Sequence, residues 1–169
     1  AESQEKVRRI LKVLTGYQLN AKLFLVPFAE IQREIVAFAP PPLRVILYRR
    51  FMMRIAEAIA LREKAAALVT GDNLGQVASQ TLENLRTVSA AASLPIFRPL
   101  IGDDKEDIMN AARKIGTYAI SILPDQDCCT MFVPKHPETM ATIEEVEQAE
   151  SALDCSRLIS AAYSATSRE

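Results

Sequence analysis

"AAALVTGDNLGQVASQTLENLRTV", residues 65–88, carries three local signals in succession. The run ending at Thr70 is short and apolar and is closed by Gly71, the pattern of a buried strand. From Gly75 onward apolar residues return every three or four positions, which predicts a helix over "GQVASQTLENLRTV". Strand, glycine loop and helix in that order form the repeating unit of an α/β fold with a parallel sheet.

The flanking sequence continues the alternation. "AKLFLVPF" (21–28) and "LPIFRPLI" (94–101) read as strands, and "TYAISIL" (117–123) as extended or irregular chain. "AEIQREIVAF" (29–38) reads as a short helix broken by Pro40, Pro41 and Pro42. The segment from Leu43 to Lys64 has neither Gly nor Pro and predicts the longest helix. "DDKEDIMNAARKIG" predicts another, capped by Asp103 or Asp104 and stopped by Gly116. Residues 143–164 predict one or two closing helices, and the tail "SATSRE" reads as frayed. The chain opens at Ala1 inside a pattern in which Val7, Ile10, Leu11 and Leu14 share a helical face, so an upstream segment is expected.

Composition narrows the function classes. A chain of 169 residues suits one well-buried domain, so 1–169 reads as a single domain whose carboxyl-terminal helices start near 143. Twenty basic residues against 21 acidic ones leave a net charge of -1, which excludes a global basic field for nucleic acid. No apolar run approaches the roughly 20 residues of a membrane span, and no secretory leader opens the chain. A cytoplasmic protein without a membrane partner is expected.

Ligands of parallel α/β sheets gather beyond the carboxyl ends of the strands. There Gly71 and Gly75 permit tight turning and close backbone approach, and Gln80 offers a carboxamide to an adenine or ribose; an ordinary loop with a solvent-facing Gln has the same spacing. Arg49 shares a helical stripe with Met52, Met53 and Ala56, whereas Arg50, Arg54 and Glu57 form a charged stripe. A guanidinium among apolar residues wants a phosphate, a carboxylate or an escape to the edge. Lys105 lies in a first helical turn, where the helix dipole disfavours a cation and an anion is welcome; solvation is the bland alternative.

Two of the chain's three cysteines are adjacent, in "DQDCCTMFVPKH" (125–136). Adjacent thiols bridge only with strain, and a zinc site from Cys128, Cys129, His136 and Cys155 lacks the usual ligand spacing, so no metal site is expected. Packing as small hydrophobes suits Cys155, on its helix, better than the loop pair. A reactive thiol is the remaining reading, with Lys135 and His136 favouring the thiolate and Asp125 and Asp127 opposing it.

The stretches "YRRFMMRIAEAIA", "ALVTGDNLGQVASQTLENL", "RPLIGDDKEDI" and "ARKIGTYAISILPDQDCCTMFVPKHP" resemble, in order, the tRNA 4-thiouridine synthetase family, also called tRNA sulfurtransferases or thiamine-biosynthesis sulfur transfer proteins. The resemblance runs from about Lys22 to Pro137 and more weakly through the terminal helices. It implies a three-layer α/β fold, a mostly parallel Rossmann-like sheet flanked by helices, of the adenine-nucleotide α-hydrolase type. It implies ATP with Mg2+ as cofactor, adenylation of a tRNA uridine, and sulfur insertion to make 4-thiouridine. A related role in forming the thiazole of thiamine is also implied. Implied partners are tRNA, a cysteine desulfurase as persulfide donor, a thiamine-pathway sulfur carrier protein, and a second copy in a homodimer. By motif the ATP contacts fall on Arg49, Gly71 and Gln80, Lys105 supports the activated phosphates, and Cys129 carries the sulfur. Cys128 is an accessory thiol without an assigned essential role.

The family's pyrophosphate loop, of the type Ser-Gly-Gly-x-Asp-Ser, has no counterpart here, because no two glycines are adjacent; Asn73 also stands where the family more often has Ser. The chain therefore reads as the carboxyl-terminal part of a pyrophosphatase-loop ATPase domain, without its first strand, and inactive or weak by itself. Two alternatives stay open: a non-catalytic module kept for protein contacts, and a sulfur-relay fragment that needs no ATP.

Overall fold

The computed structural model describes residues 2–124, 134 and 136–169. In chain order its helices and strands are α1 (Glu2–Leu14), β1 (Phe24–Leu25), α2 (Ala29–Phe38), α3 (Arg44–Arg62), β2 (Leu68–Val69), α4 (Leu82–Ser89), β3 (Ile96–Phe97), α5 (Lys105–Ile115), α6 (Tyr118–Ser121), α7 (Ile143–Glu150), α8 (Cys155–Ser164) and β4 (Ser167–Arg168). Short 3-10 turns at Pro41–Leu43 and Ala78–Gln80 lead into α3 and α4.

The chain divides into two compact units. The larger comprises Val26–Gly102 and Cys129–Thr166. Its core forms on α3, where Ile46, Leu47, Phe51 and Ile55 are at most 2% exposed and pack with Ile31 and Ile35 of α2, Val88 of α4, Val146 of α7 and Leu158 of α8. Prolines set the start of α3, since they fix φ and need no amide acceptor in a first turn. Thr81 caps α4 by accepting from the Asn84 amide at 3.2 Å, and Thr142 with Glu145 forms a capping box at α7. Asp154 caps α8, so residues 143–164 form two helices rather than one. β2 and β3 pair in parallel, Leu68 with Ile96 and Val69 with Phe97, and α4 lies between them in sequence as the alternation predicts.

The smaller unit comprises Ala1–Leu25, Asp103–Cys128 and Ser167–Glu169. Here α6 packs against α1 and α5. The Asp104 carboxylate accepts from the Glu106 and Asp107 amides at 2.9 and 3.0 Å, which starts α5 at the predicted place. Gly116 ends it in the left-handed region at φ 84°. A Cβ at Gly116 would make only an ordinary contact with Val13, so the cost of a side chain there is backbone strain. Gly116→Ala is expected to destabilise this unit by about 1 kcal/mol, read as a lower unfolding midpoint in urea.

Four local readings change. "TYAISIL" is helical at Tyr118–Ser121, because the Ile120 and Ser121 amides bond back to the Thr117 carbonyl at 3.1 and 3.0 Å. The helix expected from Gly75 begins at Leu82. Gly75 is left-handed at φ 75° and its amide donates to the Gln80 carbonyl at 2.9 Å, which closes a loop instead. The tail is not frayed: Ser167–Arg168 pairs antiparallel with β1, and Arg8 grips the Glu169 carboxylate at 2.6 and 2.7 Å. As a result "AKLFLVPF" gives an antiparallel strand of two residues, not a member of the parallel pair.

Candidate functional site

The carboxyl end of β2 delivers Thr70, Gly71, Asp72 and Asn73 to one edge, and the carboxyl end of β3 delivers Arg98 to the same edge. Asp72 is the hub. Its side chain is 8% exposed; Oδ2 accepts from the Thr70 hydroxyl at 2.8 Å and from Arg98 Nε at 3.1 Å. Oδ1 accepts from Arg49 Nη2 and, at 3.4 Å, from Gln80 Nε2. Arg49 reaches across from α3 and spends Nη1 on the Ser79 carbonyl at 2.8 Å. Burial by itself would push the Asp72 carboxyl up. The Thr70 hydroxyl and the charges of Arg49 and Arg98 more than offset that, holding it below the usual carboxylate range.

Of the residues singled out from sequence, Arg49, Gly71 and Gln80 come together in the larger unit. Gly71 is exposed, and a Cβ there would meet no atom within 4 Å, so the backbone can be approached closely. Lys105 opens α5 in the smaller unit. Cys128 and Cys129 lie outside the described residues. Asp72 and Arg98 were missed: Asp72 stands three residues past the end of β2, in the loop at the ligand edge, and Arg98 directly follows β3, which ends at Phe97 and is shorter than the strand read over 94–101. Asn73 is buried and its amide donates to the Leu100 carbonyl at 2.8 Å, tying the two loops together.

The stripes on α3 come out differently from expectation. Arg50 is 1% exposed, whereas the Arg49 side chain keeps 15%. Arg50 donates to both oxygens of Glu150 at 2.9 and 3.0 Å and to the Thr87 carbonyl at 2.7 Å; Arg54 grips the same carboxylate at 2.7 Å twice. The two arginines of the charged stripe are thus satisfied by the last residue of α7, a partner about 100 positions away that helical periodicity does not register, while Glu57 accepts from the Ser93 and Leu94 amides at 2.6 and 2.7 Å.

A separate open cleft of about 450 Å³ is lined by Leu82, Glu83, Arg86, Thr87 and residues 140–144 and includes none of the sequence-singled residues. Among the described residues no group of three or more His, Cys, Asp or Glu could hold a metal ion, and no helix is long and apolar enough to cross a membrane.

Comparison with known proteins gives this geometry its context. The chain is 57% identical to a probable tRNA sulfurtransferase of Thermus thermophilus over 160 residues, covering 95% of this chain and 39% of that protein. It is 49% identical to the probable tRNA sulfurtransferase of Treponema pallidum over 162 residues, covering 96% and 40% respectively. It therefore spans about two fifths of the length of these relatives. A crystal structure of a 4-thiouridine synthetase–RNA complex with bound ATP superposes with a TM-score of 0.95 at 41% identity, over 100% of this chain and 45% of that one. The family model described as thiamine biosynthesis protein (ThiI) matches residues 1–155, and with that span the chain belongs to the ThiI family.

Proposed function

We propose that this chain is the carboxyl-terminal part of the pyrophosphatase-loop ATPase domain of a tRNA sulfurtransferase that makes 4-thiouridine. The observation that carries the reading is the convergence of Arg49 and Gln80 on Asp72, at the ligand edge of the parallel strands beside the open backbone of Gly71. The likeness to a synthetase with bound ATP supports ATP as the ligand. The exposed apolar face of Val69 and Phe97, 68% and 60% accessible, is what a further layer of a three-layer sheet would cover.

In this reading Arg49, Gly71 and Gln80 hold the nucleotide, and Mg2+ enters with its phosphates. Lys105, at the amino end of α5, supports the phosphates with its charge and the helix dipole. The uridine carbonyl oxygen attacks the α-phosphorus and pyrophosphate departs, so that the oxygen becomes part of a good leaving group. The terminal sulfur of a persulfide on Cys129 then attacks the ring carbon and AMP leaves. A second thiol attacks the Cys129 sulfur, the sulfur–sulfur bond breaks, and a disulfide remains while the transferred sulfur stays on the base. A cysteine desulfurase loads Cys129, tRNA is the acceptor, and the same persulfide serves a carrier protein for the thiamine thiazole. A cytoplasmic homodimer is part of this proposal.

The test is the ATP requirement. In the full-length enzyme, Arg49→Ala and Lys105→Ala are each expected to lower ATP-dependent tRNA thiolation by about 100-fold or more, while persulfide loading of Cys129 persists. Thiolation that continues unchanged in both variants would replace this reading with an ATP-independent relay.

A further inference from the structure

The nucleotide reading uses Arg49 and Gln80 but leaves their common partner without a role. Asp72 binds both, and the carboxylate is itself held from the other side by Arg98. Arg98 is immobilised at two points: Nε on Asp72 Oδ2, and Nη2 on Ser89 Oγ at 2.8 Å. Ser89 in turn donates to the Leu85 carbonyl at 2.6 Å within α4, so the brace ends on a helix and not on solvent.

Charge makes the arrangement informative. Asp72 with Arg49 alone would be a neutral pair, poorly suited to attract an anion. With Arg98 on the second oxygen the group carries two guanidinium charges against one carboxylate. The arginine side chains are 15% and 17% exposed, so water screens the excess charge only in part. A site of this kind draws a polyanion while each cation keeps a fixed direction.

We propose that Asp72 and Arg98 are positioning residues of the nucleotide site: Asp72 aims Arg49 and Gln80, and Arg98 locks Asp72 while restoring a net positive charge to the group. The inference rests on the nucleotide reading of this edge. It differs from a purely structural brace between β3 and α4, which would affect unfolding but not the response to ATP.

The experiment measures kcat and KM for ATP in tRNA thiolation by the full-length enzyme, together with the unfolding temperature, for Arg98→Gln, Arg98→Lys, Asp72→Asn and Arg49→Ala. Arg98→Gln preserves most of the side chain's bulk and a donor but removes the charge. It is expected to raise KM for ATP by about tenfold with little change in kcat at saturating ATP. Arg98→Lys keeps the charge and is expected to recover most of that loss. Asp72→Asn makes the group more positive yet loosens both arginines, so kcat/KM should fall by about tenfold or more; attraction by charge alone would instead lower KM. A KM for ATP within about twofold of the parent in Arg98→Gln, with only the unfolding temperature lowered, would overturn the proposal. If Arg49→Ala also leaves KM unchanged, the nucleotide reading itself fails, and the two failures are told apart.

Discussion

Glu150→Ala is expected to destabilise the larger unit by about 3–5 kcal/mol, measured as a fall in the urea midpoint at neutral pH. Glu150 is 8% exposed and accepts both oxygens' worth of bonds from Arg50 and Arg54. Truncation leaves two guanidinium groups without that acceptor, one of them 1% exposed. Glu147 lies 3.8 Å from Arg50 but is 61% exposed at its side chain, so it compensates little. The effect measures the penalty of an unmatched buried charge rather than a net gain from the trio. Replacing Arg50, Arg54 and Glu150 together by apolar residues of similar volume should therefore recover most of the loss.

The same group sets an acid limit. Burial raises the Glu150 carboxyl, but the hydrogen bonds and charges of Arg54 and Arg50 more than offset it and hold it below the ordinary glutamate range. A carboxyl depressed in the folded state stabilises fully above its unfolded pKa, and that stability is lost as pH falls through the folded one. Asp72 acts in the same sense. Unfolding followed by circular dichroism should thus show stability falling below about pH 4. Glu150→Gln should be less stable than the parent at neutral pH and show a shallower acid decline.

Cys129→Ser is expected to abolish sulfur loading and with it thiolation of tRNA. The readout is the intact mass after incubation with a cysteine desulfurase and cysteine: a gain of one sulfur atom in the parent and none in the variant. Cys155 is not a substitute. Its thiol is half-buried and is pushed up first by burial and then by the Glu150 charge, and its Sγ donates to the Glu150 carbonyl at 3.7 Å. Less thiolate means less nucleophile, so Cys155→Ser should leave loading intact. Cys128→Ser should load as well and separates the adjacent thiols. A sulfur gain that survives Cys129→Ser would overturn the assignment.

Local order was legible where the determinants are local. The strand at Leu68, the long helix to Arg62, the Asp104 cap and the Gly116 stop each depend on a few neighbouring residues. "TYAISIL" misled because β-branched apolar residues suit a strand or a helical turn alike, and Thr117 supplied the local acceptors for the turn. The tail misled because its order comes from β1 and Arg8, more than 140 positions upstream.

Sequence by itself determined the family, through long ordered motifs, and most of the element types along the chain, through period, caps and glycines. It also placed Gly71 and Gln80 near one strand end, and the family resemblance assigned Arg49 to the same nucleotide. Only the tertiary structure decided which guanidinium is buried, that Asp72 joins Arg49, Gln80 and Arg98, and that Glu150 pairs with both Arg50 and Arg54. The reason is physical. A helical period reports which residues share a face, but the burial of a charge depends on an oppositely charged group arriving from a distant segment. Only the folded chain brings those groups within hydrogen-bonding distance.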